Sequence, residues 1–292
     1  MKIFQKGFNY SQDGQGNRLV IHMQGCNMRC PWCANPEGLL AEGVLMTDPQ
    51  WLVPSLCEHG AVSEQDGGCF LDRLVCSGCP DHGCISKHRS KGIYYSCQEM
   101  SVKELLEYIE SNSMMFYDGG GVTFTGGECT MQFAELMDTL KQLKRKKIHT
   151  AIESNASHAR LPELFPYVDQ LILDCKLING EKHCCVTGIG NAQILTNIRK
   201  AAAEHPNVHI RIPLIGGFNN SPEDIKDFLD FFSEIGNKNI SFEVLKYHEY
   251  GKKKWEECGW NYRMDQKARV TADEVQAFQE QIEAKGLRYE KT

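Results

Sequence analysis

Three cysteines at metal-ligand spacing are the residues most able to do chemistry in this chain. Cys26, Cys30 and Cys33 form a Cys-x3-Cys-x2-Cys run. Soft thiolates suit iron–sulfur clusters, and three of them hold three corners of a [4Fe–4S] cube. The fourth iron then keeps an open position, as the metal does in catalytic sites. A zinc site that borrows a fourth ligand, with His22 the nearest, is the alternative that this spacing leaves open.

Further cysteines lie in a segment of different composition, residues 39–99, where Gly and Asp are frequent and hydrophobic periodicity is weak. Metal clusters can substitute for a core in small modules of this kind. Cys76, Cys79 and Cys84 are similar to half of a ferredoxin-type arrangement. We predict one auxiliary [4Fe–4S] cluster, and a structural zinc site is the alternative. Its ligands are predicted to be Cys76, Cys79, Cys84 and one of Cys57, Cys69 and Cys97.

The length, net charge and cysteine content of the chain limit the classes of protein to which it can belong. The chain has 292 residues, a net charge of -6 and 14 cysteines. The acidic balance gives no electrostatic argument for nucleic acid as a partner. The sequence predicts no signal peptide and no membrane span, which favours the cytoplasm. Because cytosolic thiols stay reduced, so many cysteines indicate metal or redox chemistry rather than disulfides.

Outside this segment, strands alternate with helices, which predicts parallel β/α units. Capping residues predict helices that begin after Ser101, Ser221 and Thr271. A further helix is predicted over residues 130–147, with its apolar residues on one face. Six strands are predicted, at residues 19–24, 122–125, 148–153, 168–174, 207–212 and 240–245.

Polar residues follow these strands, where the chemistry of parallel β/α barrels collects. Taken singly, each has a plainer interpretation: a turn, a strand-end ion pair, a strand cap or a structural histidine. The cationic run from Lys252 to Lys254 is predicted to be solvated surface, with contact to a partner protein as the alternative. The strand-end groups are Gly126-Gly127-Glu128, Glu153-Ser154-Asn155, Asp174-Cys175-Lys176, Arg211 and Tyr247-His248-Glu249.

Together these motifs resemble the radical S-adenosylmethionine (SAM) enzymes. With Asn35-Pro36-Glu37 after it, the cysteine run is most similar to that of the activating enzymes of glycyl radical enzymes. Gly126-Gly127-Glu128 resembles the family's Gly-Gly-Glu motif, and Asp174 with Lys176 resembles its Asp-x-Lys. The resemblance implies an α/β fold, a partial (β/α)6 TIM-like barrel over residues 1–38 and 100–292. Residues 39–99 would be a small Cys-rich, ferredoxin-like iron–sulfur insert.

The resemblance also implies roles for single residues. Cys26, Cys30 and Cys33 would carry the catalytic, site-differentiated cluster. A monovalent cation would lie near Glu153, although Glu is one methylene longer than the family's Asp. The residues implied to bind SAM are Trp32, Gly126, Gly127, Glu128, Glu153, Ser154, Asp174, Lys176, Arg211 and His248.

The implied activity is reductive cleavage of SAM to a 5′-deoxyadenosyl radical, which abstracts hydrogen from a glycine of a partner enzyme. A glycyl radical enzyme and an electron donor such as flavodoxin or ferredoxin would be the partners. Oxygen-sensitive clusters imply an anaerobic setting. Two other functions are open from the residues: a radical SAM enzyme that acts on a small molecule or peptide, and a non-catalytic, zinc-stapled interaction protein.

Overall fold

All six predicted strands are present in the fold, together with others that the sequence pattern does not predict. A computed structural model describes residues 1–65, 67–87 and 92–292. The strands in these ranges are β1 (Lys2–Tyr10), β2 (Asn17–Met23), β3 (Leu45–Thr47), β4 (Val62–Gln65), β5 (Gly68–Leu71), β6 (Ile93–Tyr95), β7 (Gln98–Glu99), β8 (Gly121–Gly126), β9 (Thr150–Ser154), β10 (Gln170–Asp174), β11 (Val208–Leu214) and β12 (Ile240–Lys246).

One eight-stranded sheet organises the chain, in the order β12-β11-β10-β9-β8-β2-β1-β7. β2 and β8 to β12 are parallel, which confirms the six predicted β/α units and the partial-barrel fold. β1 pairs antiparallel with β2, and β7 pairs with β1. Neither strand follows from the sequence pattern, because only Ile3 of β1 is buried and β7 has two residues.

Helices connect the strands, and several begin at the predicted caps. They are α1 (Arg73–Ser77), α2 (Cys84–Lys87), α3 (Val102–Ser111), α4 (Phe133–Arg145), α5 (Gly180–Thr187), α6 (Ala192–Glu204), α7 (Pro222–Ile235), α8 (Lys252–Glu257) and α9 (Ala272–Ala284). Ser101 and Thr271 form capping boxes for α3 and α9, and Ser221 caps α7. α4 begins later than predicted because Cys129–Gln132 form a 3-10 turn first.

The main core lies between the sheet and its helices. Alternate residues of β2, namely Leu19, Ile21 and Met23, are fully buried in it. Phe232 of α7 packs on Phe242 of β12 with ring centroids 4.5 Å apart. Because side chains alternate along a strand, the residues between these core positions face the other side of the sheet, inside the partial barrel.

The segment predicted as an insert has small sheets of its own, formed by β3 with β6 and β4 with β5. A separate hydrophobic cluster that includes Leu52, Val62 and Ile93 packs beneath them. Gln98 and Glu99 pair with the start of β1, so the chain has rejoined the main sheet before residue 100. Among the described residues, every helix is too short or too polar to cross a bilayer.

Candidate active site

A cavity of about 320 Å³ lies where the parallel strands end. It brings the cysteine run together with residues from the ends of β8, β9, β10 and β12. Arg211 is not part of its wall. The other predicted site residues of the barrel line it: Cys26, Cys30, Trp32, Cys33, Gly126, Gly127, Glu128, Glu153, Ser154, Asp174, Lys176 and His248.

The three cysteines lie on the loop that follows β2. Cys30 is 7% exposed, and burial raises the pKa of the Cys26 and Cys33 thiols to about 12. Such thiols are not free nucleophiles at neutral pH, whereas metal binding drives off their protons. The Met28 N–H donates to Cys26 Sγ over 3.4 Å, a contact of the kind that tunes ligating sulfur.

The cysteine loop is fixed from outside by α8. The Trp255 indole N–H donates to the Cys33 carbonyl oxygen over 2.9 Å. Lys254 Nζ donates to Glu37 Oε1 over 2.6 Å, and Glu37 is buried. The prediction of a solvated surface for the run from Lys252 to Lys254 is therefore wrong for Lys254, because a buried carboxylate needs a cationic partner.

Gly126 is the last residue of β8 and Gly127 follows it, where the backbone passes close to residues 23–25. Gly126 has a φ of +121°, and a Cβ there would lie 2.3 Å from the Met23 nitrogen. A Cβ on Gly127 would lie 2.4 Å from the Gly25 carbonyl oxygen. Both positions therefore require glycine, and this bare backbone turn lines the cavity beside the cysteines.

Glu128 completes that turn and is 2% exposed. Its Oε1 accepts hydrogen bonds from the Thr130 N–H over 3.1 Å and the Ser154 hydroxyl over 2.8 Å. Its Oε2 accepts the Asn155 N–H over 2.6 Å. Burial raises the pKa of Glu128, and these hydrogen bonds oppose that shift. The carboxylate thus joins the end of β8 to the end of β9.

Charged groups at the ends of β9 and β10 are arranged in pairs. Glu153 accepts hydrogen bonds from the Thr125 hydroxyl over 2.9 Å and from Arg211 over 2.7 Å. Lys176 forms an ion pair with Asp174. Burial lowers the pKa of Lys176, but the charge and hydrogen bond of Asp174, together with the nearby Cys30 and Cys26, more than offset this, so the pKa lies above its ordinary value. Lys176 is therefore a fixed cation on the cavity wall.

Arg211 lies behind the cavity wall in a buried charge cluster. Its guanidinium donates to Glu153 Oε1 over 2.7 Å and to Glu243 Oε2 over 3.3 Å. His209 contacts the same Glu243 oxygen over 3.1 Å. Arg211 is thus engaged with two carboxylates of the protein, and its contact with SAM stays a prediction.

Two aromatic side chains, Trp32 and His248, line the cavity from loops. Trp32 meets Phe218 edge-on, with ring centroids 5.4 Å apart. His248 stacks on Tyr250 with ring centroids 4.2 Å apart. Burial lowers the pKa of His248 below its ordinary 6.5, so its ring is neutral at pH 7 and suited to packing on a flat ligand.

A second cavity, of about 280 Å³, lies inside the insert segment. Cys57, Cys76, Cys79 and Cys84 line it, whereas Cys69 and Cys97 lie outside its described wall. The Ala61 N–H donates to Cys57 Sγ over 3.2 Å, and the His82 N–H donates to Cys79 Sγ over 3.3 Å. Four cysteines thus face one space, with backbone donors directed at two of their sulfurs.

Comparison with known proteins decides the family. The model of the Radical SAM superfamily matches residues 20–232. The chain is 31% identical to the 4-hydroxyphenylacetate decarboxylase activating enzyme of Clostridioides difficile (strain CD196), over 92% of this chain and 88% of that protein. It is 32% identical to the (2S)-3-sulfopropanediol sulfolyase activating enzyme of Bilophila wadsworthia, over 96% of this chain and 94% of that protein. The chain belongs to the radical SAM superfamily, among the activating enzymes of glycyl radical enzymes.

Solved structures agree with the fold of this radical SAM protein. Streptococcus suis SuiB, bound to its precursor peptide SuiA, matches with a TM-score of 0.55 at 13% identity, over 92% of this chain and 47% of that one. A radical SAM methyltransferase from Sphaerobacter thermophilus matches with a TM-score of 0.55 at 10% identity, over 97% of this chain and 67% of that one. At these identities the likeness concerns the fold alone.

Membership in the radical SAM superfamily implies a [4Fe–4S] cluster and SAM, and the cavity residues fit both. Three thiols share one wall, which is the donor set that a cluster with one open iron requires. Asp174 and Lys176 lie nearby and carry opposite charges, which suit the ammonium and carboxylate groups of the amino acid part of SAM. The family thus favours the cluster over the zinc site that the spacing of the cysteines left open.

The sequence does not predict several residues that line the cavity or hold its cysteine loop. Asp13 and Thr125 line the wall, and Lys254 and Trp255 hold the cysteine loop. Thr125 stands next to a strand end and could have been found by extending the strand-end rule one residue inward. Lys254 and Trp255 carry no such signal, because they reach the loop from more than 200 residues away along the chain.

Proposed function

We propose that this radical SAM protein activates a glycyl radical enzyme by removing one hydrogen atom from a backbone glycine of that partner. The cavity is the observation that carries the proposal, because it joins the three-cysteine run to the Gly126-Gly127 turn and to the Asp174–Lys176 pair. Relatives aligned over more than nine-tenths of the chain are activating enzymes, which supports the same reaction here. The two proteins are proposed to meet in the cytoplasm.

When bound, the reduced cluster supplies the electron that splits SAM into methionine and a 5′-deoxyadenosyl radical. The partner's glycine then gives up a hydrogen atom, so the products are 5′-deoxyadenosine and a glycyl radical. The protein holds SAM, admits the glycine and keeps water from the reacting atoms. The electron comes from outside the chain, and we propose a flavodoxin or a ferredoxin as its donor.

The proposed roles of the cavity residues follow from their chemistry. The carbonyl groups of Gly126 and Gly127 are suited to accept the ammonium group of SAM. Lys176 and Asp174 are suited to its remaining polar groups, and the rings of Trp32 and His248 to its adenosyl moiety. Glu128 and Ser154 act through the turn that they hold in place.

The monovalent cation near Glu153 that the family resemblance implies does not fit the residues present. The Glu153 carboxylate already pairs with Arg211 and accepts a hydrogen bond from Thr125. Asp174 is likewise paired with Lys176. Side-chain cations thus neutralise both carboxylates, and we include no cation in the proposed site.

For the insert, residues 39–99, we propose one auxiliary [4Fe–4S] cluster held by Cys57, Cys76, Cys79 and Cys84. The shared cavity supports this set, and the sulfur contacts of the Ala61 and His82 N–H groups support a bound cluster there. His59 and Asp81 lie beside Cys79, with potential ligand atoms within 4.8 Å of one another, so a mononuclear metal is the competing occupant. The separate hydrophobic cluster supports treating this segment as its own unit.

Iron analysis tests which cysteines of the insert bind the auxiliary cluster. With two clusters, anaerobically reconstituted protein is expected to hold about eight irons per chain. Cys57→Ala is expected to lower this to about four, because it removes one corner of the auxiliary cube. Cys97→Ala is the matched control and should retain the wild-type content. A wild-type content of about four irons, or an equal loss in both variants, would contradict the assignment.

Electron paramagnetic resonance tests the proposed function directly. The reconstituted protein is mixed anaerobically with SAM, dithionite and each glycyl radical enzyme encoded in the same genome. We expect a glycyl radical on one of them, with about one 5′-deoxyadenosine formed per radical. SAM cleavage without a glycyl signal on any of these enzymes would instead favour a radical SAM enzyme that acts on a small molecule or peptide.

A further inference from the structure

His22 lies inside the partial barrel, on the wall of the catalytic cavity. It pairs with Thr125 across the parallel β2–β8 ladder, and Thr125 in turn donates to Glu153 of β9. We call these three side chains, His22, Thr125 and Glu153, the floor row, because they lie below the strand ends. From the cysteines the cavity extends past this row to Asp13, in the turn before β2.

Neither ring nitrogen of His22 has a hydrogen-bond partner among the described residues, and its Nδ1 is buried. The other two members of the floor row are paired with each other. Three deeply buried histidines, His183, His205 and His209, all have hydrogen-bond partners. Three buried side-chain atoms in the described part of the chain lack a hydrogen-bond partner: His22 Nδ1, Gln24 Oε1 and Glu37 Oε2. Of these residues, His22 is the one that lines the catalytic cavity. Because buried polar groups are normally hydrogen-bonded, this ring is the cavity group most open to a partner that enters from outside the chain.

The chemistry of the ring defines what it can bind. Burial lowers the pKa of His22 to about 4, against the opposing charge of Glu153, so the ring is neutral at pH 7. A neutral imidazole has one N–H group. An unpaired buried N–H is rarer than an unpaired acceptor, which favours the proton on Nε2 rather than on the buried Nδ1. His22 therefore offers the cavity one neutral hydrogen-bond donor.

We infer that His22 donates a hydrogen bond from Nε2 to a backbone carbonyl oxygen of the peptide segment that carries the reacting glycine. The inference rests on the proposed function. A backbone segment that enters a cavity loses water from its C=O and N–H groups and needs partners there. The groups that we propose for SAM, on Gly126, Gly127, Asp174 and Lys176, lie at or just beyond the strand ends. His22 lies before the end of β2, opposite Thr125, on the side towards Thr123 and Asp13, which are joined by a hydrogen bond. This donor fixes the carbonyl beside the glycine and thereby the direction of its C–H bond.

Two kinds of substitution at position 22 distinguish the effect of losing the N–H donor from the effect of changing the volume of the side chain. His22→Phe keeps a ring but removes the N–H, and His22→Leu repeats the loss with a smaller side chain. His22→Gln keeps an amide N–H near the position of Nε2. Phe4→Leu is the matched control, since Phe4 covers the His22 ring with centroids 5.4 Å apart and lies outside the described cavity wall.

The assay uses the reconstituted full chain, SAM and a synthetic peptide that contains the glycine loop of the enzyme activated by the wild type. For His22→Phe and His22→Leu we expect the KM for the peptide to rise about tenfold, and less than about threefold for His22→Gln. The Kd for SAM and SAM cleavage without peptide should stay at wild-type values. More 5′-deoxyadenosine should form per peptide radical, because the glycine is held less well.

Two outcomes would overturn the inference. Peptide KM values equal to that of the wild type in both donor-free variants would show that no substrate carbonyl depends on His22. A weaker Kd for SAM, in the same proportion as any change in KM, would place His22 against SAM instead. Neither result bears on the proposed function, which fails only where the wild type makes no glycyl radical on any partner.

Discussion

Cys30→Ala is expected to lower the iron content of the reconstituted protein by about four per chain and to reduce SAM cleavage to background. Cys30 is 7% exposed on the wall of the catalytic cavity. Removing it leaves two thiols of the run, which cannot retain a cube that needs a ligand at three corners. Iron analysis and the yield of 5′-deoxyadenosine in the presence of dithionite measure the two effects.

Cys175→Ala provides the control for this experiment. Cys175 is also buried, at 1% exposure, and lies between Asp174 and Lys176, yet it is outside the described wall of the cavity. Its replacement creates a small void and should leave both iron content and cleavage near wild type. SAM cleavage that persists in Cys30→Ala would contradict a catalytic cluster bound by Cys26, Cys30 and Cys33, even though the fold is that of the family.

The strands could be predicted because parallel strands are buried on both faces and form continuous apolar runs. The segment from Leu171 to Leu173 is of this kind, and all three residues are buried in β10. β1 could not be predicted, since most of its residues are partly exposed. Its place in the sheet depends on pairing with β2, which is a tertiary contact rather than a local pattern.

The grouping of residues in one cavity could be predicted where the topology alone brings them together. Gly126, Ser154 and Asp174 share a cavity because each ends a parallel strand. The prediction that Arg211 lies at a strand end is wrong, because β11 continues to Leu214. Arg211 pairs with Glu243 within the β11–β12 ladder, and its guanidinium binds Glu153 and Glu243 behind the cavity wall.

In the insert, residues 39–99, the positions of the ligand side chains were even harder to predict from the sequence. The sequence left three candidates for the fourth auxiliary ligand, because loop-rich segments have no periodicity from which to place a side chain. In the fold, Cys57 faces the cavity of Cys76, Cys79 and Cys84. Cys69 instead lies on β5 opposite Glu64. The pairing of β4 with β5 fixes the position of Cys69, and that pairing is not visible in the composition.

Arg211→Met is expected to lower the free energy of unfolding by about 3–5 kcal/mol. The Arg211 side chain is 6% exposed and pairs with Glu153 and Glu243, whose side chains are 20% and 3% exposed. Methionine approximates its volume but leaves two carboxylates with no guanidinium partner. Urea unfolding measured anaerobically on both proteins gives the difference. Arg199→Met is the matched control, because its pair with Glu234 is exposed and should contribute less than about 1 kcal/mol.

The loss from Arg211→Met should also depend on pH. Burial raises the pKa of Glu243, but hydrogen bonds from His209 and Thr292 and the charge of Arg211 more than offset this, so the pKa lies below its ordinary 4.5. A carboxyl group with a depressed folded-state pKa stabilises the fold above pH 4.5 and ceases to do so as pH falls through that lower value. Without Arg211 the depression shrinks, so the stability of the variant should fall less steeply below pH 4.5 than that of the wild type. Parallel curves for the two proteins would show that Arg211 does not contribute measurably to lowering the pKa of Glu243, and the internal counter-charge proposed in place of a cation would lose its support.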